Sequence, residues 1–169
     1  MMSKTLEKED LLFHVTHGLC RVSAVMAATT AASNEGSYAL VPVSLNHGKV
    51  RFIIPQSSLE NSGFSRLISV KQALAILEYF KTGNKKETEF GHAWTLAETI
   101  RSESCSKEPQ KDKRKRQKLE HSVKGITGEL AFVLNQSVGD MVGKIQKSLA
   151  SSSPVNPLVL TVLANANTD

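Results

Sequence analysis

Residues 10–22, Asp-Leu-Leu-Phe-His-Val-Thr-His-Gly-Leu-Cys-Arg-Val, decide how the first half of this chain folds. The segment contains one apolar run at 11–15 and the start of a second at 19–25, with Gly18 between them. Short runs rich in β-branched or aromatic residues and bounded by turn-forming residues are typical of β-strands. We therefore predict two strands joined by a turn.

Two more runs of the same kind follow, at 38–43 and 50–54. Asn46-His47-Gly48 lies between them and predicts a hairpin turn, since Gly48 is able to take a positive φ. The stretch 27–36 has no apolar pattern and is interpreted as a flexible loop. The first half thus predicts a small antiparallel sheet or barrel.

After Pro55 the apolar period changes from that of a strand to that of a helix. A first helix is predicted from the i, i+3, i+4, i+7 spacing of Val70, Ala73, Leu74, Leu77 and Phe80 or Lys81. Ser69 is its expected N-cap and Gly83 its expected end.

Three further helices are predicted in the second half of the chain. Trp94 lies near the start of the first of them, and two apolar stripes then run over 119–133 and 138–149. Ser137 and Asp140 resemble a capping box between those last two helices. The fold class is therefore α+β, with a barrel domain at 1–68, a helical domain at 69–151 and a tail at 152–169. The tail is left open between a docked strand, a partner-binding segment and a frayed end.

The composition is that of an ordinary globular protein, with 169 residues of which 40% are hydrophobic and 22% charged. No apolar run approaches the roughly 18 residues that a membrane-spanning helix needs. The first residues are too polar for a secretory signal. We expect a cytoplasmic protein without a membrane partner.

Catalytic and metal-binding chemistry is not indicated by any motif. The chain has no glycine-rich phosphate loop, nucleophile elbow or His-Glu-x-x-His sequence, so it is not expected to be an enzyme or to need a cofactor. Cys20 and Cys105 lie far apart without a second ligand at metal spacing. His14 and His17 are expected on opposite faces of one strand. These two residues and His47 are expected to have turn or surface roles and not to bind a metal.

Positive charge is concentrated in one segment, 107–118. Its seven basic and two acidic residues account for the net charge of +5, so the rest of the chain is neutral overall. Such a block favours a polyanionic partner, with a solvated surface or a localisation signal as alternatives. The cations at its centre are Lys113, Arg114, Lys115 and Arg116.

Trp94 is the only tryptophan of the chain and has two interpretations. It is either a buried helix-packing residue or an exposed wedge of the kind that proteins insert at a distorted DNA base step. The residue chemistry alone does not separate the two.

Several segments in order carry a resemblance to a known family. The segment 10–22, the stretches 38–40, 48–55, 60–66 and 68–69, and the later stretches 115–120, 128–131 and 136–149 all resemble the CarD/CdnL family of bacterial RNA polymerase-binding transcription regulators. The similarity extends over about residues 9 to 150 and leaves only the tail outside.

The resemblance implies a Tudor-like barrel that binds the β subunit of RNA polymerase, and a helical domain that contacts promoter DNA and stabilises the open complex. It assigns the wedge role to Trp94. Where the family commonly has its polymerase-contacting arginine this chain has Ile53, and Arg51 two residues earlier is the substitute. Arg21 and Ile53 complete the expected polymerase contact.

DNA contact is expected to be largely independent of sequence, because no helix has base-reading residues at suitable spacing. The protein is expected to act as a monomer. Two alternatives remain open. One is a general nucleic-acid-binding protein without a polymerase contact, and the other is an adaptor that recruits a partner through the apolar residues 158–163.

Overall fold

The computed structural model divides into two units, 1–67 and 68–169, each of which is described by itself. The residues that it describes are 5–14, 16–28, 35–43, 50–89, 91–106, 112–151 and 154–166. The predicted turn at 46–48, most of the predicted loop at 27–36, and residues 107–111 of the basic segment lie outside them.

The first unit is a curled five-stranded antiparallel sheet, a half-barrel. Its strands are β1 (Leu11–His14), β2 (Gly18–Met26), β3 (Ser37–Pro42), β4 (Phe52–Pro55) and β5 (Phe64–Arg66), with a short 3-10 helix at Gln56–Asn61 before β5. The strand order is β4-β3-β2-β1-β5, so β4 and β5 form the two edges. The chain is therefore α+β as predicted, and the half-barrel of described strands is compatible with the predicted small antiparallel sheet or barrel.

The core of the first unit lies on one face of this sheet. Leu12 pairs with Cys20 across β1 and β2, Val22 pairs with Leu40 across β2 and β3, and all four side chains are buried. The register between β2 and β3 shifts after Val22, and such an irregularity increases the local twist of a strand. The shift helps the sheet to curl over its core.

His14 organises the turn between β1 and β2. Its Nδ1 accepts hydrogen bonds from the backbone N–H groups of Thr16, at 3.0 Å, and His17, at 3.3 Å. The His14 and His17 rings lie 4.6 Å apart, so their predicted placement on opposite faces is wrong. Thr16 and His17 form a turn, and strand alternation does not apply there. Burial lowers the pKa of His14, and the neighbouring His17 lowers it further.

The second unit is helical. Its helices are α1 (Val70–Thr82), α2 (His92–Ser104), α3 (Lys113–Val133), α4 (Val138–Ala150) and α5 (Pro157–Ala166). The predicted caps of α1 are confirmed, because Ser69 accepts from the Gln72 backbone in a capping box and Gly83 ends the helix with a φ of 76°. The Ser137 side chain likewise accepts from the Asp140 backbone at the start of α4.

The buried face of α1 differs from the predicted one. Ala73, Ile76 and Phe80 are buried, whereas Val70 and Leu74 are 53% and 55% exposed. Apolar residues lie on two overlapping stripes of this helix, and its sequence period does not say which stripe meets the neighbouring helices.

Residues 157–166 of the tail form the helix α5, which packs in the core of the second unit, and none of the three predicted alternatives was a docked helix. The Asn156 side chain accepts from the Leu158 backbone N–H at the start of α5. Val159, Val162 and Leu163 are then buried in the helical core. Among the described residues, no helix combines the length and the apolar character needed to cross a membrane.

Candidate functional site

The basic block begins α3. The side chain of Asp112 caps the helix by accepting from the Arg114 backbone N–H at 2.9 Å. The cations that follow within two turns are all exposed, namely Lys113, Arg114, Lys115, Arg116 and Lys118. The four predicted DNA-binding cations therefore share one helix end and are accessible from solvent.

This placement is unfavourable for the helix itself. The N-terminal end of a helix has a partial positive charge, which favours acidic residues and disfavours basic ones. The first turn of α3 contains no acidic residue, while Lys113, Arg114, Lys115 and Arg116 all lie there. Each such cation opposes the helix dipole by a few tenths of a kcal/mol up to about 1 kcal/mol. A bound anion would remove this repulsion.

The cations of the block differ in their neighbours. Arg116 forms an exposed ion pair with Glu120, at 3.2 Å between Nε and Oε1. Lys115 and Lys118 line a concavity of about 380 Å³ together with Glu98 and Glu103 of α2. Part of the positive charge of α3 is thus balanced by carboxylates.

Trp94 is buried, with only 2% of its surface exposed. Its ring meets Tyr79 of α1 edge-on, with the ring centroids 5.7 Å apart and the planes 69° apart. An aromatic wedge has to be exposed to reach a base step. The structure therefore favours the core alternative for Trp94 and corrects the assignment that the family resemblance implied.

The residues around Trp94 connect α1 to α2. The Arg101 guanidinium donates to the backbone oxygen of Phe80 at the end of α1 and lies 5.8 Å from the centre of the Tyr79 ring. Lys85 forms an ion pair with Glu98 nearby. Burial and the carboxylate of Glu98 raise the pKa of Tyr79. Arg101 therefore packs helices together instead of presenting its charge to a phosphate.

The residues predicted to contact polymerase lie on the outer face of the half-barrel. Ile53 of β4 is 53% exposed and pairs with Ala39, while Arg21 of β2 pairs with Val41. Because Ala39 and Val41 point to the same side of β3, Arg21 and Ile53 share one face, opposite the core. Arg51 is exposed directly before the edge strand β4. Arg21 also forms an exposed ion pair with Glu9 at 2.9 Å.

A buried carboxylate lies at the other end of α3, and sequence reasoning did not single it out as functional. Glu129 is fully buried, and its Oε1 accepts from the Ile68 backbone N–H at 3.1 Å. Its Oε2 lies 2.8 Å from Nε2 of His92 at the start of α2. A carboxylate within the apolar stripe of α3 was the signal that could have found it, since buried charges require partners. The Glu129 carboxylate thus connects α3 to the start of α2 and to the residue Ile68 that precedes α1.

Metal-binding and thiol chemistry have little support in the described part of the chain. No group of three or more His, Cys, Asp or Glu residues there is arranged to hold a metal ion. Cys20 and Cys105 are both free thiols. Burial raises the pKa of Cys20 to about 11, which keeps it protonated and unreactive near neutral pH.

The fold and the charge distribution define a two-unit α+β protein that presents an exposed, basic helix end. Comparison with protein-family models finds no match, and comparison with curated proteins finds none either.

Proposed function

We propose that this protein is a transcription regulator of the CarD/CdnL type, which binds the β subunit of bacterial RNA polymerase through its first unit and promoter DNA through its second. The half-barrel corresponds in this proposal to the Tudor-like domain of that family. DNA contact is supplied by α3 and not by Trp94, and it stabilises the open complex without reading sequence.

The observation that carries this proposal is the exposed cluster of cations in the first turn of α3. Cations at the positive end of a helix reduce its stability, and Arg116 is the member of this cluster that an acidic residue of the fold, Glu120, is paired with. A polyanion such as DNA would gain from both the side-chain charges and the helix end. A merely solvated surface would be better served by acidic residues at this position.

The contact with polymerase is supported by the edge strand β4 and the face beside it. An unpaired strand edge is able to add a strand from a partner, with backbone hydrogen bonds supplying affinity. Ile53 offers an exposed apolar side chain there, and Arg51 and Arg21 offer charges. This combination of apolar contact and charge suits a protein partner better than a phosphate backbone.

The adaptor alternative has less support in the tail, where Leu160 is the exposed leucine of the segment. Its apolar residues 158–163 were the expected recruiting segment, but Val159, Val162 and Leu163 lie in the core of the second unit. General nucleic-acid binding without polymerase is the remaining alternative. It shares the basic helix with our proposal and differs only in the role of the first unit.

Binding of the full chain to the isolated lobe of the polymerase β subunit tests the proposal. Arg51→Glu should lose about 2 to 5 kcal/mol of affinity, because it places a like or unpaired charge at the contact. Lys144→Glu, which makes the same charge change on the exposed side of α4, is the matched control and should bind normally. No complex at high micromolar concentration would leave general nucleic-acid binding as the function.

A further inference from the structure

We propose that DNA lies along one outward stripe of α3, formed by Lys113, Arg114, Gln117, His121 and Lys124, and that the remaining cations of the basic block contribute little to binding. This inference rests on the proposed DNA contact and assigns it to particular residues. Gln117, His121 and Lys124 are new members of the interface, whereas Lys115 and Arg116 are removed from it.

Helix geometry places these residues together. At 3.6 residues per turn, positions 113, 114, 117, 121 and 124 fall within about a third of the circumference of α3. The side chains at all five positions are exposed, and the opposite side of the helix contains the buried residues Leu119, Val123, Ile126 and Leu130. The stripe therefore faces away from the helical core over three turns.

Carboxylates separate this stripe from the rest of the basic block. On one side, Lys115 and Lys118 share their concavity with Glu103 and with Glu98, whose carboxylate is paired with Lys85. On the other side, Arg116 is paired with Glu120. Lys85–Glu98 and Arg116–Glu120 are ion pairs beside the stripe, and the stripe itself contains no acidic residue. A phosphate strand would be attracted along the stripe and repelled on its α2 side.

The stripe also has the donors that a phosphate backbone needs. Lysine, arginine and the glutamine amide all donate hydrogen bonds, and His121 is able to donate through its ring. Gln117 and His121 also line the groove between α2 and α3, and the hydroxyl groups of Thr95 and Thr99 on its other wall donate to backbone oxygens one turn earlier. The two threonine hydroxyl oxygens therefore face the groove only as hydrogen-bond acceptors. Phosphate oxygens are acceptors as well, so they cannot bind there.

The far end of the stripe borders a second concavity. His121 and Lys124 line a space of about 370 Å³ with Glu120 of the same helix and residues of α5. His121 and Lys124 offer donors at this rim, beside the exposed ion pair of Glu120 with Arg116. From Lys113 to Lys124 the stripe extends for roughly 16 Å, at about 1.5 Å per residue, which is long enough to follow several phosphates.

Two triple variants of the full chain with equal charge loss test the stripe. Lys113→Gln, Arg114→Gln and Lys124→Gln remove its cations, and Lys115→Gln, Arg116→Gln and Lys118→Gln remove the cations beside carboxylates. Binding to a mixed-sequence DNA duplex is measured from about 50 to 200 mM salt. The stripe variant should lower the slope of log affinity against log salt by two to three units, and the matched variant by less than one.

A pair of single variants adds one negative charge at each of two neighbouring places. Gln117→Glu introduces it on the stripe and should weaken DNA binding roughly tenfold or more, whereas Ser102→Glu introduces it on α2 and should change affinity less than twofold. No variant should unfold below the wild-type temperature, since all the substituted positions are exposed and removal of first-turn cations relieves repulsion with the helix dipole. This comparison keeps a folding defect from being taken for a binding defect.

The outcomes separate the stripe from the function on which it rests. Equal slopes for the two triple variants, or a larger loss for the matched variant, overturn the stripe but leave DNA binding standing. Absence of wild-type DNA binding at low salt overturns both. Binding to polyglutamate in preference to DNA also overturns both, because it identifies an acidic protein as the partner.

Discussion

The two ends of α3 place their charges in opposite ways. At its N-terminal end the helix exposes Lys113 and its neighbours where the dipole is unfavourable, and at its C-terminal end it buries Glu129 with two partners. The first arrangement reduces the stability of the isolated protein, and the second connects its helices. The comparison separates residues that hold the fold together from residues that are free to bind something else.

The largest effect is expected in the core beside α3. Trp94→Ala should cost about 3 to 5 kcal/mol of unfolding free energy, because it removes a large ring and leaves a cavity. Thr95→Ala, at the next and exposed position, should cost less than about 0.5 kcal/mol. Chemical denaturation of both variants gives the comparison. A stable Trp94→Ala protein would return this ring to a surface role such as the wedge.

Phenylalanine at the same position sharpens the test of Trp94. Within the described residues, the buried Nε1 of Trp94 has no hydrogen-bond partner. A buried, unpaired N–H costs about 1 to 3 kcal/mol, so its removal should offset part of the lost packing. Trp94→Phe should therefore be much less destabilising than Trp94→Ala in the same experiment.

Glu129 should give the next largest loss. Glu129→Ala leaves the Ile68 amide and the His92 ring without this partner, and we expect a cost of about 2 to 3 kcal/mol. Glu129→Gln should recover part of the loss, since its amide oxygen is still able to accept from Ile68. Glu120→Ala on the same helix removes only an exposed ion pair and should cost less than about 1 kcal/mol. Similar values for Glu129→Ala and Glu120→Ala would break the contrast between the helix ends.

Gly83 should show a smaller effect at the end of α1. Its φ of 76° is rare for residues with a side chain, and a Cβ there would lie 2.6 Å from Nη2 of Arg101. Gly83→Ala should cost about 1 to 2 kcal/mol, mainly through the backbone conformation. Gly143→Ala, in α4, has open space for the new Cβ and is the control. Unchanged stability of Gly83→Ala would mean that this turn is free to rearrange.

The smallest and opposite effect is expected at the N-terminal end of α3. Changing Lys113, Arg114, Lys115 and Arg116 together to Gln should raise the unfolding free energy by about 1 kcal/mol, since relief of repulsion with the helix dipole outweighs loss of the exposed Arg116–Glu120 pair. DNA binding should weaken uniformly across sequences. A destabilised variant would show that these cations serve the fold, and it would remove the main argument for an anionic partner.

The sequence by itself determined the α+β class, the change from strand to helix period after Pro55, and the caps at Ser69, Gly83 and Ser137. These features depend on local chemistry, because a cap or a turn is satisfied by residues a few positions away. The exposure of the basic block also followed from sequence, since a run of cations is rarely buried.

Only the tertiary structure decided which face each element presents to its neighbours. In the tertiary structure Trp94 is buried, whereas Val70 and Leu74 are exposed, and α5 packs against the helical core. Glu129 has hydrogen-bond partners that are 61 and 37 residues away in the chain. It also separated the cations of α3 that lie beside carboxylates from those that face outward. Burial and charge pairing depend on contacts between distant segments, and residue order along one helix does not contain them.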